Sequence, residues 1–423
     1  MSARHLTSVL VHVPGALGEN LAGPEIRAVE FARALAEEYE VTLASGEGAD
    51  GRHLGIPVVR TSRFRLLREA ARHDVVLSSS LPPFLLASKP LHRFVAITDQ
   101  YDPHEEEILT KQQSEPQRRR ELQTRAAMQA LQVAYADIVL CAGERQREQL
   151  VCRYGSLLGP ASGRPEPAVV PFGIPDPPAP SGRHPLRERL PQVAPGDTVV
   201  LWWGSVWRWL DADTAVRALA ALAPVRPDIK LVITAGRAPR EGAQRFYNAA
   251  EEVRGLAAEL GVLGRNVLFL DEWIPYDQRH DYLRDADIGL TLHRHGSEAR
   301  LAVRARYMDY LSAGLPCVLG RGDETAEEFG MAGFATLMAD PKPEELAAKL
   351  LALADDPGAL AAARAAGQRL VERHSWSAVG TRLRNVVAGA PAGRLTPPHA
   401  CPSLVRQTGA YYARRLPARF VAP

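Results

Sequence analysis

The feature that most constrains this chain is an alternation of two periodicities, run through twice. Short runs rich in Val, Ile and Leu alternate with stretches whose apolar residues recur three and four apart. A short apolar run bounded by turn residues reads as a buried strand, and three-and-four spacing reads as one face of a helix. The first set of candidate strands is 8–13 (SVLVHV), 40–44, 58–59, 73–78, 94–98, 136–141 and 168–172. Candidate helices start near residue 24 and cover 105–135 and 143–154. Strands alternating with helices imply a parallel sheet covered on both faces.

The alternation breaks once. Residues 173–196 are loaded with proline (PDPPAPSGRHP), which is a linker signal. It then restarts with candidate strands at 198–203, 230–235, 266–270, 288–292 and 315–319, and helices at 213–223, 249–260, 276–286, 304–313, 343–354 and 357–374. Helix 304–313 is closed by Gly314, a favoured helix terminator. The expected organisation is α/β, with Rossmann-like, doubly wound domains over residues 1–180 and 181–388 and a tail over 389–423. In two such halves, ligands bind in the cleft between them, at the carboxyl ends of the strands. The tail shifts to Gly, Pro and Ala and then offers a short helix over 404–416 with Tyr411, Tyr412 and three arginines. Packing back on the first domain, fraying and lying on a membrane surface are all open to it.

At 423 residues the chain is too long for one ordinary core. Its net charge of +2 lacks the basic excess of a nucleic-acid binder. The basic run QRRRELQTRAA within 105–135 reads as a solvated helix face. Cys141, Cys152, Cys317 and Cys401 form no CxxC pair and fit neither a zinc site nor a disulfide framework. The first apolar run breaks at Pro14-Gly15, too early for a signal peptide, and no segment approaches the roughly 18 uninterrupted apolar residues of a membrane span. A cytoplasmic protein is expected, with no transmembrane segment, no nucleic-acid partner, no metal and no cofactor.

Four stretches carry polar chemistry where such a fold binds ligands. The loop 15–23 has glycines at 15, 18 and 23, which is not the GxGxxG fingerprint, and the second strand ends in Ala44-Ser45 instead of an acid, so nicotinamide and flavin sites are excluded. Gly18, Glu19 and Asn20 remain either a tight turn or a polar lip on the cleft. Asp99, Gln100, Tyr101 and Asp102 end a first-domain strand, as sugar- or acceptor-binding candidates or as caps for the helix that follows. Gly204-Ser205 ends the first strand of the second domain, where small residues let backbone N–H groups approach a diphosphate, and Arg208 stands nearby to add charge. The densest stretch is EARLAVRARYMDYLSAGLPCVL, residues 298–319. Arg306 and Asp309 are three apart and share a helix face, with Arg304 in the first turn near the positive end of the helix dipole. Arginines at a helix N-terminus suit a diphosphate, a carboxylate one turn on can accept both hydroxyls of a ribose, and Glu298 in the preceding loop reaches the same cleft.

These residues carry a resemblance. The pieces WWGSVWRWLDADTAVRALA, LFLDEWIPYDQRHDYLRDADIGL and EARLAVRARYMDYLSAGLPCVL resemble glycosyltransferase family 4, the retaining nucleotide-sugar transferases of GT-B fold. In the first half, AITDQYDP, ADIVLCAGERQRE and VVPFGIPDP resemble the same bacterial group. The resemblance implies a GT-B fold whose second domain binds a nucleoside-diphosphate sugar and whose first domain takes the acceptor. It places Asp309 on the ribose, Arg304 and Arg306 on the diphosphate, Glu298 toward the sugar and the base near Trp273-Ile274, with Glu298, Arg304 and Arg306 as the catalytic set. It implies no metal. Family members often carry an Arg and a Lys after the glycine loop and a His-Asp at the first-domain strand end. Here Ser205, Trp209 or Leu210, and Thr98-Asp99 stand in those places. The implied activity is transfer of a sugar to a polysaccharide or natural-product acceptor. A GT-B epimerase and a degenerate sugar-nucleotide-binding partner protein are the alternatives.

Overall fold

The computed structural model of the chain describes residues 6–13, 15, 17–18, 21–89, 94–158, 164–174, 177–234 and 248–390. Two sheets form two domains. The first contains β1 (Ser8–Val13), β2 (Glu40–Ser45), β3 (Gly51–His53), β4 (Ile56–Arg60), β5 (Val75–Ser78), β6 (Val95–Asp99), β7 (Ile138–Cys141) and β8 (Ala168–Val169), in the spatial order β3-β4-β2-β1-β5-β6-β7-β8. The second contains β9 (Thr198–Trp202), β10 (Ile229–Thr234), β11 (Val267–Leu270), β12 (Ile288–Thr291), β13 (Cys317–Gly320) and β14 (Ala335–Met338), in the order β11-β10-β9-β12-β13-β14. All pairings are parallel except β3 with β4.

The inner strands are buried along almost their whole length. Val9, Leu10, Val11, Val199, Val200 and Leu201 are fully buried, as expected where helices cover both faces. In each sheet the order reverses beside the first strand, which is the crevice where such sheets bind ligands. The candidate strands fall within a few residues of observed ones. Two strands lie outside the expected set. β3 is a three-residue polar edge strand (GRH), and β14 (ATLM) is a short edge strand only partly buried. The expected helix over 105–135 is two helices, His104–Thr110 and Glu115–Tyr135. Lys111 leaves helical geometry, and Ser114 restarts the helix through a capping box with Gln117.

The helix Trp376–Ala388, sequence that falls inside the expected second domain, packs on the first-domain helix Gly23–Leu35. Gly380 has no Cβ, and this lets the helix approach Ala34. Trp376 sits against Phe31 and Phe172, at ring-centroid distances of 6.0 and 5.4 Å. The two crossings between domains are stitched side by side: Ile174 donates to the His374 carbonyl at 2.7 Å and Trp376 donates back to the Ile174 carbonyl at 2.9 Å. The helix expected over 404–416 lies outside the described residues. Among the described residues, no helix is long and apolar enough to cross a membrane.

Candidate functional site

The second-domain half of the site is built at the carboxyl ends of β9, β12 and β13. β9 runs into Gly204, whose φ of +80° belongs to the left-handed region that favours glycine. Its N–H donates to Thr234 Oγ1 at 2.7 Å, which turns the chain sharply out of the sheet. Arg306 lies over this turn. Its Nη2 donates to the Ser205 carbonyl at 2.9 Å, and its Nη1 is buried without a hydrogen-bond partner among the described residues. Burial lowers its pKa. Arg306 is the second residue of the helix Ala305–Ala313, so the orphan guanidinium nitrogen and the free amides of the first turn share one end of a helix.

Arg304 and Glu298 depart from their expected places. Arg304 caps the helix from outside, and its Nη2 donates to Glu298 Oε2 at 2.8 Å, with Asp323 3.7 Å from Nη1. Nη1 and Nη2 thus face carboxylates, whereas Nε is buried without a hydrogen-bond partner among the described residues. Glu298 lies in a short helix, Ser297–Leu301, instead of a loop, and is 6 % exposed. Burial pushes its carboxyl up to about 7, against the pull of Arg304 and with Glu107 and Asp323 adding to the rise. Asp323 is pushed up to about 6 by the same burial, with Arg304 opposing. His293, buried beside them, hydrogen-bonds the Gly320 carbonyl at 3.1 Å and is held neutral, pushed down to about 4 by burial and by Arg304.

Asp309 is on the same helix as Arg306 but is held by two residues the sequence did not suggest. Arg279 Nε donates to Oδ1 at 3.1 Å and Trp203 Nε1 donates to Oδ2 at 3.0 Å. Burial raises its pKa, with Arg279 opposing. A carboxylate has about four lone-pair sites, so two remain for a ligand. Trp273 and Ile274, expected near a base, are half-buried in the segment after β11. Arg208, expected to add charge near Ser205, is paired: its Nη2 donates to Glu252 at 2.5 Å and to the Asn248 carbonyl at 3.3 Å.

On the first-domain side the four expected residues separate. Asp99 is locked by Arg27, Nε to Oδ2 at 2.6 Å and Nη2 to Oδ1 at 3.0 Å, with both side chains buried. It anchors the β6 end and offers little to a sugar. Tyr101 is buried as well. Gln100 and Asp102 do line a small pocket, with a cavity volume of about 40 Å³, together with Ser79, Ser80, Gln129 and Leu301 of the second domain. Burial pushes Asp102 up to about 7, with His104 opposing. Gly18 is described and open, with nothing near the place of a Cβ, whereas Glu19 and Asn20 lie outside the described residues.

Residues 237–385 match the family model for "Glycosyl transferase-like" proteins. No curated protein matches the chain by sequence. Solved structures align over nearly the whole chain. Sucrose-phosphate synthase from Thermosynechococcus elongatus is 16 % identical, over 90 % of this chain and 98 % of that one, with a TM-score of 0.68. Anabaena Alr3699/HepE in complex with UDP-glucose is 16 % identical over 91 % and 100 %, with a TM-score of 0.68. WaaG, a glycosyltransferase involved in lipopolysaccharide biosynthesis, is 16 % identical over 90 % and 100 %, with a TM-score of 0.65. With two parallel-sheet domains stitched at residues 174 and 376, the chain has the GT-B fold.

Proposed function

We propose that the protein is a glycosyltransferase that takes a sugar from a nucleoside-diphosphate donor and delivers it, with retention, to an acceptor hydroxyl or another nucleophile. The observation that carries this reading is the buried Nη1 of Arg306, unpartnered among the described residues above the Gly204 turn and at the first turn of a helix. A buried guanidinium nitrogen left unpaired is costly, and a dianionic diphosphate beside helix amides is the ligand class that best satisfies it. The match to the "Glycosyl transferase-like" model and the complexes of Alr3699/HepE with UDP-glucose and UDP support the same reading.

In the reaction, the bond from the anomeric carbon to the diphosphate oxygen breaks and the acceptor oxygen bonds to that carbon from the same face. The acceptor proton passes to the departing phosphate oxygen. Charge develops on the leaving diphosphate, where Arg306 and the Ser205 amide, set by the Gly204 turn, act as fixed donors. Asp309 takes the ribose hydroxyls through its two spare lone-pair sites, and the base lies near Trp273 and Ile274. The Glu298–Arg304 pair faces the sugar, and the acceptor enters beside Gln100 and Asp102. No metal and no cofactor enters this scheme. The acceptor belongs to polysaccharide or natural-product assembly, and the cytoplasm is the proposed setting.

Thermal-shift titration with UDP, UDP-glucose and other sugar nucleotides, followed by product analysis, tests the reading. Stabilisation by a sugar nucleotide with release of nucleoside diphosphate is the expected result. Release of an isomerised sugar nucleotide would make the protein an epimerase, binding without turnover would make it a non-catalytic partner, and no binding would remove the donor site.

A further inference from the structure

The first-domain helix Glu144–Tyr154 presents its N-terminus to the second domain. Its N-cap, Gly143, has no side chain, so the first amides need an acceptor from elsewhere. Glu324 of the second domain supplies it: Oε2 accepts from the Glu144 N–H at 2.9 Å and Oε1 from the Arg145 N–H at 2.5 Å. Glu324 is itself the first residue of the helix Glu324–Ala332. Its carboxylate thus lies between two helix N-termini that face each other, each bearing partial positive charge. The Arg145 guanidinium returns across the same gap to the Gly322 carbonyl.

The next residue makes a second crossing. Gln146 is 5 % exposed; its Nε2 donates to the Tyr101 carbonyl and to the Leu301 carbonyl, both at 2.7 Å, and its Oε1 accepts from the Ala142 N–H at 2.8 Å. One side-chain amide therefore spends its two donors on different domains. Leu301 closes the helix that carries Glu298, and Tyr101 precedes Asp102. Gln146 thus bridges the two segments that carry those carboxyl groups.

We infer that Glu324 and Gln146 are positioning residues that clasp the two domains together. The clasp sets the Glu298 helix against the Tyr101-Asp102 turn, and its release separates Leu301 from the rest of the pocket it lines. Gly143 is part of the device. Its φ of −152° suits any residue, yet a Cβ there would collide with the Glu324 carboxylate, so glycine is required by the clasp and not by the helix.

The test uses the full-length protein and the variants Gly143→Ala, Glu324→Ala and Gln146→Met, the last nearly isosteric but without donors. In each, amide hydrogen exchange at Glu144 and Arg145 is expected to rise roughly tenfold, and the radius of gyration from X-ray scattering to exceed that of wild type. UDP affinity stays unchanged, because Gly204 and Arg306 are untouched, while turnover of UDP-glucose falls. Wild-type exchange and scattering in all three variants would overturn the clasp, and an opened clasp with undiminished turnover would overturn its positioning role. If UDP fails to bind even the wild type, the donor reading fails, while the exchange and scattering still decide whether the clasp exists.

Discussion

Arg304 holds Glu298 at 2.8 Å, with both side chains more than nine-tenths out of solvent. The pair is not a simple salt bridge, because burial pushes Glu298 up to about 7 in spite of its partner. Its folded-state pKa lies above the unfolded value of 4.5. The sign follows from linkage: the protonated form is favoured by the fold, so this contribution to stability is full below 4.5 and is lost as pH rises through about 7. Glu298→Gln mimics the protonated acid and does not titrate. Chemical denaturation at pH 5 and pH 8 should show the variant gaining on wild type with rising pH, by about 2 kcal/mol at this degree of burial. A gap that shrinks with pH would mean that Arg304 wins over desolvation.

Arg306 has the opposite character, a cation without a carboxylate in hydrogen-bond contact among the described residues. Arg306→Ala is expected to lower turnover by a factor of about 100 to 1000, the range for loss of one preorganised donor to developing charge, and to weaken UDP binding. Arg306→Lys should recover little of it, since an ammonium cannot hold the Ser205 carbonyl and reach a phosphate with a planar fork. Calorimetric titration with UDP and steady-state kinetics measure both. Wild-type turnover in Arg306→Ala would remove Arg306 from the mechanism.

The alternation and the two sheets were legible because interior strands of a parallel sheet are apolar runs, and helices such as Pro343–Ala354 and Pro357–His374 carry a proline at the start. The short helices Ser297–Leu301 and Pro83–Ser88 were not, since one and a half turns make no periodic pattern. In the site, Arg306 and Asp309 could be singled out from their helical spacing and from the family resemblance. The partners of Asp309 could not. Arg279 comes from 30 residues away and Trp203 from 106 residues away, and nothing local marks either. Asp99 misled for a similar reason. A carboxylate at a strand end looks available until Arg27, 72 residues earlier, is seen to claim both of its oxygens.

That pair makes a stability prediction. The Arg27 guanidinium also donates to the Pro171 and Val170 carbonyls, both at 2.8 Å, and sits 4.3 Å from the Phe31 ring centroid. It ties the helix Gly23–Leu35 to the ends of β6 and β8. Arg27→Ala leaves Asp99 buried and unpaired and should cost about 3–5 kcal/mol in denaturant unfolding. The double variant Arg27→Met with Asp99→Asn should recover part of that loss, because no uncompensated charge stays inside. A single variant as stable as wild type would show that solvent reaches Asp99.

The final prediction concerns the helix Trp376–Ala388. Gly380 faces Ala34, where an added Cβ would approach the Ala34 Cβ to 2.7 Å. Both atoms belong to helical segments, so neither can swing aside, and the two helices would have to separate. Trp376 and the paired crossings at Ile174 resist that movement from one end of the helix, and Arg384 resists it from the other through the Ala34 carbonyl at 2.9 Å. Gly normally costs about 1 kcal/mol within a helix relative to Ala, so propensity alone would make Gly380→Ala stabilising. Overpacking of about 1–3 kcal/mol should exceed it. A lowered denaturation midpoint for Gly380→Ala, with a smaller loss in the paired variant Gly380→Ala and Ala34→Gly, is the expected outcome. A raised midpoint in the single variant would show that the helix has room to slide, and that its contact with Gly23–Leu35 does not hold the domains in register.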